Sequence, residues 1–139
     1  MFGLQLANVE LHDQPYDYDK ALAQVPPDHR SVAIFPTSPV FFRDRHRLAD
    51  FALRQRIATV FGLREWVDAG GLLSYGVNFP TLYRRVAEFV NLIAKGAKPA
   101  DLPVEQPTKF ELVLNLKTAK AIGVKISPEI LVRADHVIE

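Results

Sequence analysis

The chain has 139 residues, of which 48% are hydrophobic, 24% charged and 10% aromatic, values of a folded domain with its own core rather than a disordered or membrane chain. Seventeen lysines and arginines against sixteen aspartates and glutamates leave a net charge of +1, so no nucleic-acid partner is expected. Cysteine is absent, which excludes disulfides and thiolate metal sites, and no apolar run approaches the roughly 20 residues of a membrane helix.

Phe2–Leu11, FGLQLANVEL, reads as a strand that Pro15 ends. The opening MFGLQLANVELHD has no basic run followed by an apolar core, so it is not a secretion signal and the chain as written is expected in the cytoplasm. Tyr18, Leu22 and Val25 then recur at helical spacing with Asp17 and Asp19 in the first turn, a short helix within Tyr16–Val25. Ser31–Phe35, SVAIF, is a short apolar run read as a buried parallel strand. Arg43–Arg56 gathers Leu48, Phe51 and Ala52 on one side and five arginines with His46 elsewhere, an amphipathic helix. Ile57–Phe61 is the next buried strand, Leu63–Ala69 a short helix closed by Gly70 and Gly71, and Leu72–Tyr75 another strand.

Leu82, Val86, Phe89 and Ile93 recur at four, three and four, the period of a long helix with one buried face, which Gly96 stops. An arm with Pro99, Pro103 and Pro107 leads to FELVLNL at Phe110–Leu116, a strand covered on both faces over its second half. Asn115 caps a helix that Gly123 ends, and Ser127-Pro128 starts a last helix carrying Leu131, Val132 and Val137. Strands alternating with helices imply an α/β fold: an open, mostly parallel sheet flanked by helices.

The run GAKPADLPVEQPTKFELVLNLKTAKAIG, preceded by LLSYG and LYRR, resembles the C-terminal part of ABC-transporter substrate-binding proteins. Within that family it is similar to the tryptophan- and aromatic-amino-acid-binding receptors, built on the type I periplasmic-binding-protein fold. The likeness extends more weakly back through Arg30–Gly71 and does not supply the family's front half. It implies two lobes. Residues 1–73 would be a partial second-lobe unit, and residues 74–139 a hinge crossing followed by a first-lobe segment that includes the long helix and the FELVLNL strand. It also implies a periplasmic location, a small organic solute such as an amino acid, and a membrane permease as partner of the full-length receptor.

Ligands of open parallel sheets sit beyond the carboxyl ends of the strands. Three turns qualify: Pro36-Thr37-Ser38-Pro39, Gly62-Leu63-Arg64-Glu65 and Gly76-Val77-Asn78. The candidate ligand-binding residues are Thr37, Ser38, Phe41, Glu65, Tyr75, Gly76 and Asn78, with Phe42 and Trp66 as further apolar wall. The alternatives stay open at this point. Thr37-Ser38 also suits a plain strand-to-helix turn, Phe41 and Trp66 suit core packing, and Tyr75-Gly76 suits a hinge alone.

Catalysis finds no motif. His12, His29, His46 and His136 are scattered, G-x-S-x-G and the phosphate-cradling glycine motifs are absent, and Glu65, Asp68 and Glu88 sit in helices as solvated carboxylates. The expectation is therefore no enzyme, no metal and no cofactor, but the solute-binding component of an ABC-type importer, here as a C-terminal half. The alternative is an orphan half-receptor acting as a homodimeric interaction module, because Phe89, Ile93 and FELVLNL would lack their first-lobe sheet. A small receiver-like regulator fits less well, since Asp13 has no acidic neighbours at a strand end.

Overall fold

A computed structural model describes residues 5–139. Five strands, β1 (Val32–Ile34), β2 (Ala58–Phe61), β3 (Leu73–Val77), β4 (Phe110–Asn115) and β5 (His136–Ile138), lie side by side in chain order. β1, β2 and β3 run parallel, β4 is antiparallel to β3, and β5 is parallel to β4. The open, mostly parallel sheet read from the sequence is therefore the fold, with its helices α1 (Tyr18–Ala23), α2 (Pro39–Arg43), α3 (Arg45–Arg54), α4 (Arg64–Asp68), α5 (Phe79–Ala94), α6 (Leu116–Ile122) and α7 (Pro128–Arg133).

The helix ends follow side-chain chemistry. Asp17, Asn78, Asn115 and Ser127 each accept a hydrogen bond from the backbone N–H three residues on, which satisfies a donor that the first turn leaves without a partner. Gly123, at φ 80°, closes α6 in the left-handed conformation that glycine adopts without strain.

One core lies between the sheet and α3–α4. Leu48, Phe51 and Ala52 of α3 meet Ile57, Phe61, Leu63 and Trp66, and Tyr18 of α1 closes the end. Phe61 and Trp66 stack at 4.4 Å between centroids, with Phe35 stacked on Phe61 at 5.4 Å. A smaller cluster joins Leu72 to Ala119 and Ile122 of α6.

Several expectations change. No strand forms over residues 5–11, and the remainder of the Phe2–Leu11 reading lies outside the described residues; no neighbouring strand offers this stretch a ladder. SVAIF pairs in parallel with β2 as expected, but among the described residues it is at the sheet edge rather than inside it, and Val32 and Ile34 are 54% and 66% exposed on the one face they share. The last helix stops at Arg133, and Val137 belongs to β5 beside β4.

The largest change concerns α5. None of its sixteen residues is fully buried: Leu82 and Phe89 of its apolar stripe are half-buried, and Val86, Val90 and Ile93 are exposed. Because α5 does not cross back over the sheet, the chain re-enters at the edge where β3 ended, and β4 runs antiparallel to β3 through five residue pairs. FELVLN is therefore in the same sheet as β1–β3. The second half of β4 is buried, as its continuous apolar run indicated.

Candidate functional site

The carboxyl ends of β1, β2 and β3 and the first residues of antiparallel β4 share one edge of the sheet. Backbone packing there is tight. A Cβ on Gly62 would stand 2.9 Å from the Thr37 hydroxyl oxygen. A Cβ on Gly76 would collide with the Gly62 carbonyl and stand 2.8 Å from its carbon. Two glycines thus let the turns after β1, β2 and β3 close on one another, which side chains would hold apart.

Pairing fixes which side chains share a face. Ser74 lies across from Val113 and Gly76 from Glu111, so Ser74, Gly76 and Glu111 point to the side that carries Phe61 and Trp66. Ser74 is 1% exposed and its hydroxyl oxygen has no hydrogen-bond partner. Glu111 is 6% exposed, and its Oε2 accepts a 2.9 Å hydrogen bond from the Asn78 side-chain amide. Asn78 at the same time caps α5, its Oδ1 accepting from the Thr81 N–H at 2.9 Å. A buried carboxylate is thereby clamped to the start of a sixteen-residue helix, whose positive end suits it.

The residues anticipated from the sequence divide. Thr37, Gly76 and Asn78 come to the shared edge, and Ser38 opens α2 beside them without a side-chain cap bond. Phe41 packs with Tyr16 and Phe35, centroids 6.1 Å apart in both cases, as part of the aromatic core. Glu65 is half-buried in the first turn of α4, and among the described residues no hydrogen bond joins its carboxylate to the others. Trp66 is core, as its alternative reading held.

Tyr75 points to the opposite face from Gly76. It is 61% exposed and stacks on Phe110 at 5.7 Å and 22° between planes, at the mouth of a shallow groove with Leu112, Ile130, Arg133 and Asp135. Asp135 there already accepts from the Leu112 N–H at 2.8 Å. Glu111 and Ser74 were not among the sequence candidates. FELV alternates so that Phe110 looks like the inward residue and Glu111 the outward one, and the structure inverts this.

The chain matches the family described as ABC transporter substrate binding protein over residues 27–138. No curated protein matches it. Among solved structures, it is similar to a conserved domain protein from Vibrio cholerae O1 biovar El Tor, with TM-score 0.72 and 20% identity over 77% of this chain and 36% of that one. It is similar to an ABC domain in complex with L-Trp from Streptococcus pneumonia, with TM-score 0.72 and 24% identity over 78% of this chain and 37% of that one. A ligand-free, open substrate-binding protein with adhesive properties from Clostridium difficile gives TM-score 0.56 and 20% identity over 77% and 36%. The three share the fold, and this chain spans little more than a third of each.

Proposed function

This chain belongs to the ABC transporter substrate binding protein family, and from that premise we propose that it is part of a solute receptor whose ligand sits at the shared edge of β1–β4. The observation that carries the reading is the closure of Thr37, Gly62 and Gly76 on one another beside Glu111, at the end of the sheet where open α/β folds bind ligands. An amino acid is the solute class we favour. The L-Trp complex of the streptococcal structure supports it, and the edge offers both polar groups and a nearby aromatic core. A membrane permease would be the partner of the assembled receptor, acting on the periplasmic side. Among the described residues no helix is long and apolar enough to cross a membrane.

The proposed division into lobes keeps a crossing at the end of β3. Within it, α5 and the arm to Lys109 reach toward another lobe, while β4, α6, α7 and β5 stay with β1–β3. The ligand-contact roles of Thr37, Ser38, Gly76 and Asn78 belong to this reading; Phe41, Glu65 and Tyr75 are secondary to it. A thermal-shift panel of amino acids followed by calorimetry tests it, on this chain and on a longer receptor that contains it. At least one amino acid should bind. The absence of any hit from either protein would contradict the reading.

One observation favours a second reading, an interaction module that pairs with its own copy. Val86, Val90 and Ile93 stand exposed along α5, and contiguous apolar surface of this kind marks an interface. Light scattering over a concentration series would show a dimer under this reading. A monomer at every concentration would end it.

A further inference from the structure

We propose that the hollow between α6 and α7 binds a free medium-chain fatty acid, its carboxylate held by Lys120 and Lys125. The hollow, of about 360 Å³, has aliphatic walls from Leu116, Val124, Ile126 and Leu131. Val124 and Ile126 pack from behind on the Leu72, Ala119 and Ile122 cluster. Backbone bonds hold both ends of the connecting loop: the Val124 N–H donates to the Ala119 carbonyl at 2.9 Å, and the Leu131 N–H to the Ser127 carbonyl at 3.1 Å. Gly123 leaves one side open, since a Cβ there would meet nothing within 4 Å. α6 starts at the opposite end of β4 from the proposed solute edge, so this site does not rest on the receptor reading.

Charge and shape select the occupant. From Leu112 to Pro128 the sequence holds Lys117, Lys120 and Lys125 and no aspartate or glutamate; Glu129 is the next acid. Lys120 and Lys125 stand exposed at the rim, and every ion pair among the described residues lies elsewhere. The Ala119 and Lys120 carbonyls already accept from the N–H groups of Val124 and Gly123, so the end of α6 does not claim the two ammonium groups, which offer donors only. No aromatic ring lines the hollow, which gives a nucleobase or an indole nothing to stack on, whereas flexible methylenes fill aliphatic walls. Its volume is at the low end for small-molecule pockets, about 300–1,000 Å³, and suits one acyl chain rather than two. An anionic head on a single aliphatic chain meets both demands.

The test is calorimetry of the 139-residue chain with decanoate below its micelle range, beside octanoate and decyltrimethylammonium. Each methylene that enters the hollow should add about threefold, so decanoate should bind about tenfold tighter than octanoate. It should also bind at least about tenfold tighter than the cationic amphiphile, and joint Lys120→Gln and Lys125→Gln substitution should erase that preference. Both lysines are exposed, so the double variant should melt within about 3 °C of the parent; a larger fall would make them structural residues and overturn the proposal. Amide NMR should place decanoate at Lys120, Gly123, Val124 and Lys125, and shifts at Gly76 and Glu111 instead would overturn the site. Equal affinity for the two amphiphiles would reduce the hollow to an unselective apolar surface. Binding to phosphatidylglycerol vesicles without binding of decanoate would make the partner a membrane. Either result, or no decanoate binding up to millimolar concentration, overturns the proposal and leaves the receptor reading untouched.

Discussion

Gly76 shows how a single position decides the geometry of the candidate site. Its missing Cβ is where the Gly62 carbonyl lies, whereas the missing Cβ of Gly62 meets only the end of the Thr37 side chain. Gly76→Ala must therefore displace backbone, and Gly62→Ala only needs Thr37 to rotate. Urea denaturation should place the cost of Gly76→Ala at about 1–3 kcal/mol, in the range of overpacked sites, with Gly62→Ala clearly cheaper. The reverse order would mean that the turns do not close as described. Tyr18 supplies a second test, through pH. Burial first, and its 2.9 Å hydrogen bond to Asp44 second, raise the Tyr18 phenol above its usual range. The stability it contributes is complete below the unfolded value of about 10 and is lost as pH rises beyond it. Asp44 is the opposite case: Arg43 foremost, then Tyr18, hold its carboxyl below the usual range, so its contribution is lost as pH falls below about 4. Tyr18→Phe should cost about 1.5 kcal/mol at pH 7, the worth of a hydrogen bond to a charged group, and should lose less stability than the parent between pH 10 and pH 12. Equal alkaline losses would remove Tyr18 from this role.

Helix α5 carries an apolar stripe whose Val86, Val90 and Ile93 lie exposed, and the consequence can be measured. Val86→Gln and Val90→Gln replace exposed side chains, so the stability of the folded chain should change by no more than about 0.5 kcal/mol in denaturant. Any association of the chain, followed by light scattering, should weaken in both. A large loss of stability would show instead that the stripe is packed within the chain. The same helix shows what periodicity reports. Leu82, Val86, Phe89 and Ile93 marked the helix and its apolar face correctly, but spacing says nothing about whether a partner is present. SVAIF gave a strand for the same reason and not its edge position, because the number of neighbours is set by the sheet. The strand at FELVLN, its buried second half and the α6 cap at Asn115 were legible, since a continuous apolar run and capping are local chemistry, but the inward position of Glu111 was not. His136–Ile138 was not: three residues are too few to show a period, and β5 exists through its pairing with β4. At the site, Thr37, Gly76 and Asn78 followed from turns after strands, whereas Glu111 depended on the antiparallel return of β4, which no local signal announced.

Taken entire, the chain presents more surface than its mass calls for. It exposes 10098 Å² at 15.6 kDa. A compact monomer of that mass exposes about 7,250 Å². The surplus, roughly 2,800 Å², exceeds one partner's share of a standard interface, about 800 Å². Parallel sheets are ordinarily covered on both faces, yet Val32 and Ile34 of β1 lie open on one of them. Uncovered β1, uncovered α5 and a span of 36% or 37% of the similar structures fit one another if further receptor structure packs on these surfaces. The solute-binding reading itself is tested most directly by a backbone-amide NMR titration of the chain with L-tryptophan, a method that detects weak binding residue by residue. The expected result is saturable shifts at Thr37, Ser38, Gly62, Gly76, Asn78 and Glu111. Shifts confined to the groove of Tyr75, Phe110 and Arg133, or none at all up to millimolar ligand both in this chain and in a longer receptor that contains it, would contradict it.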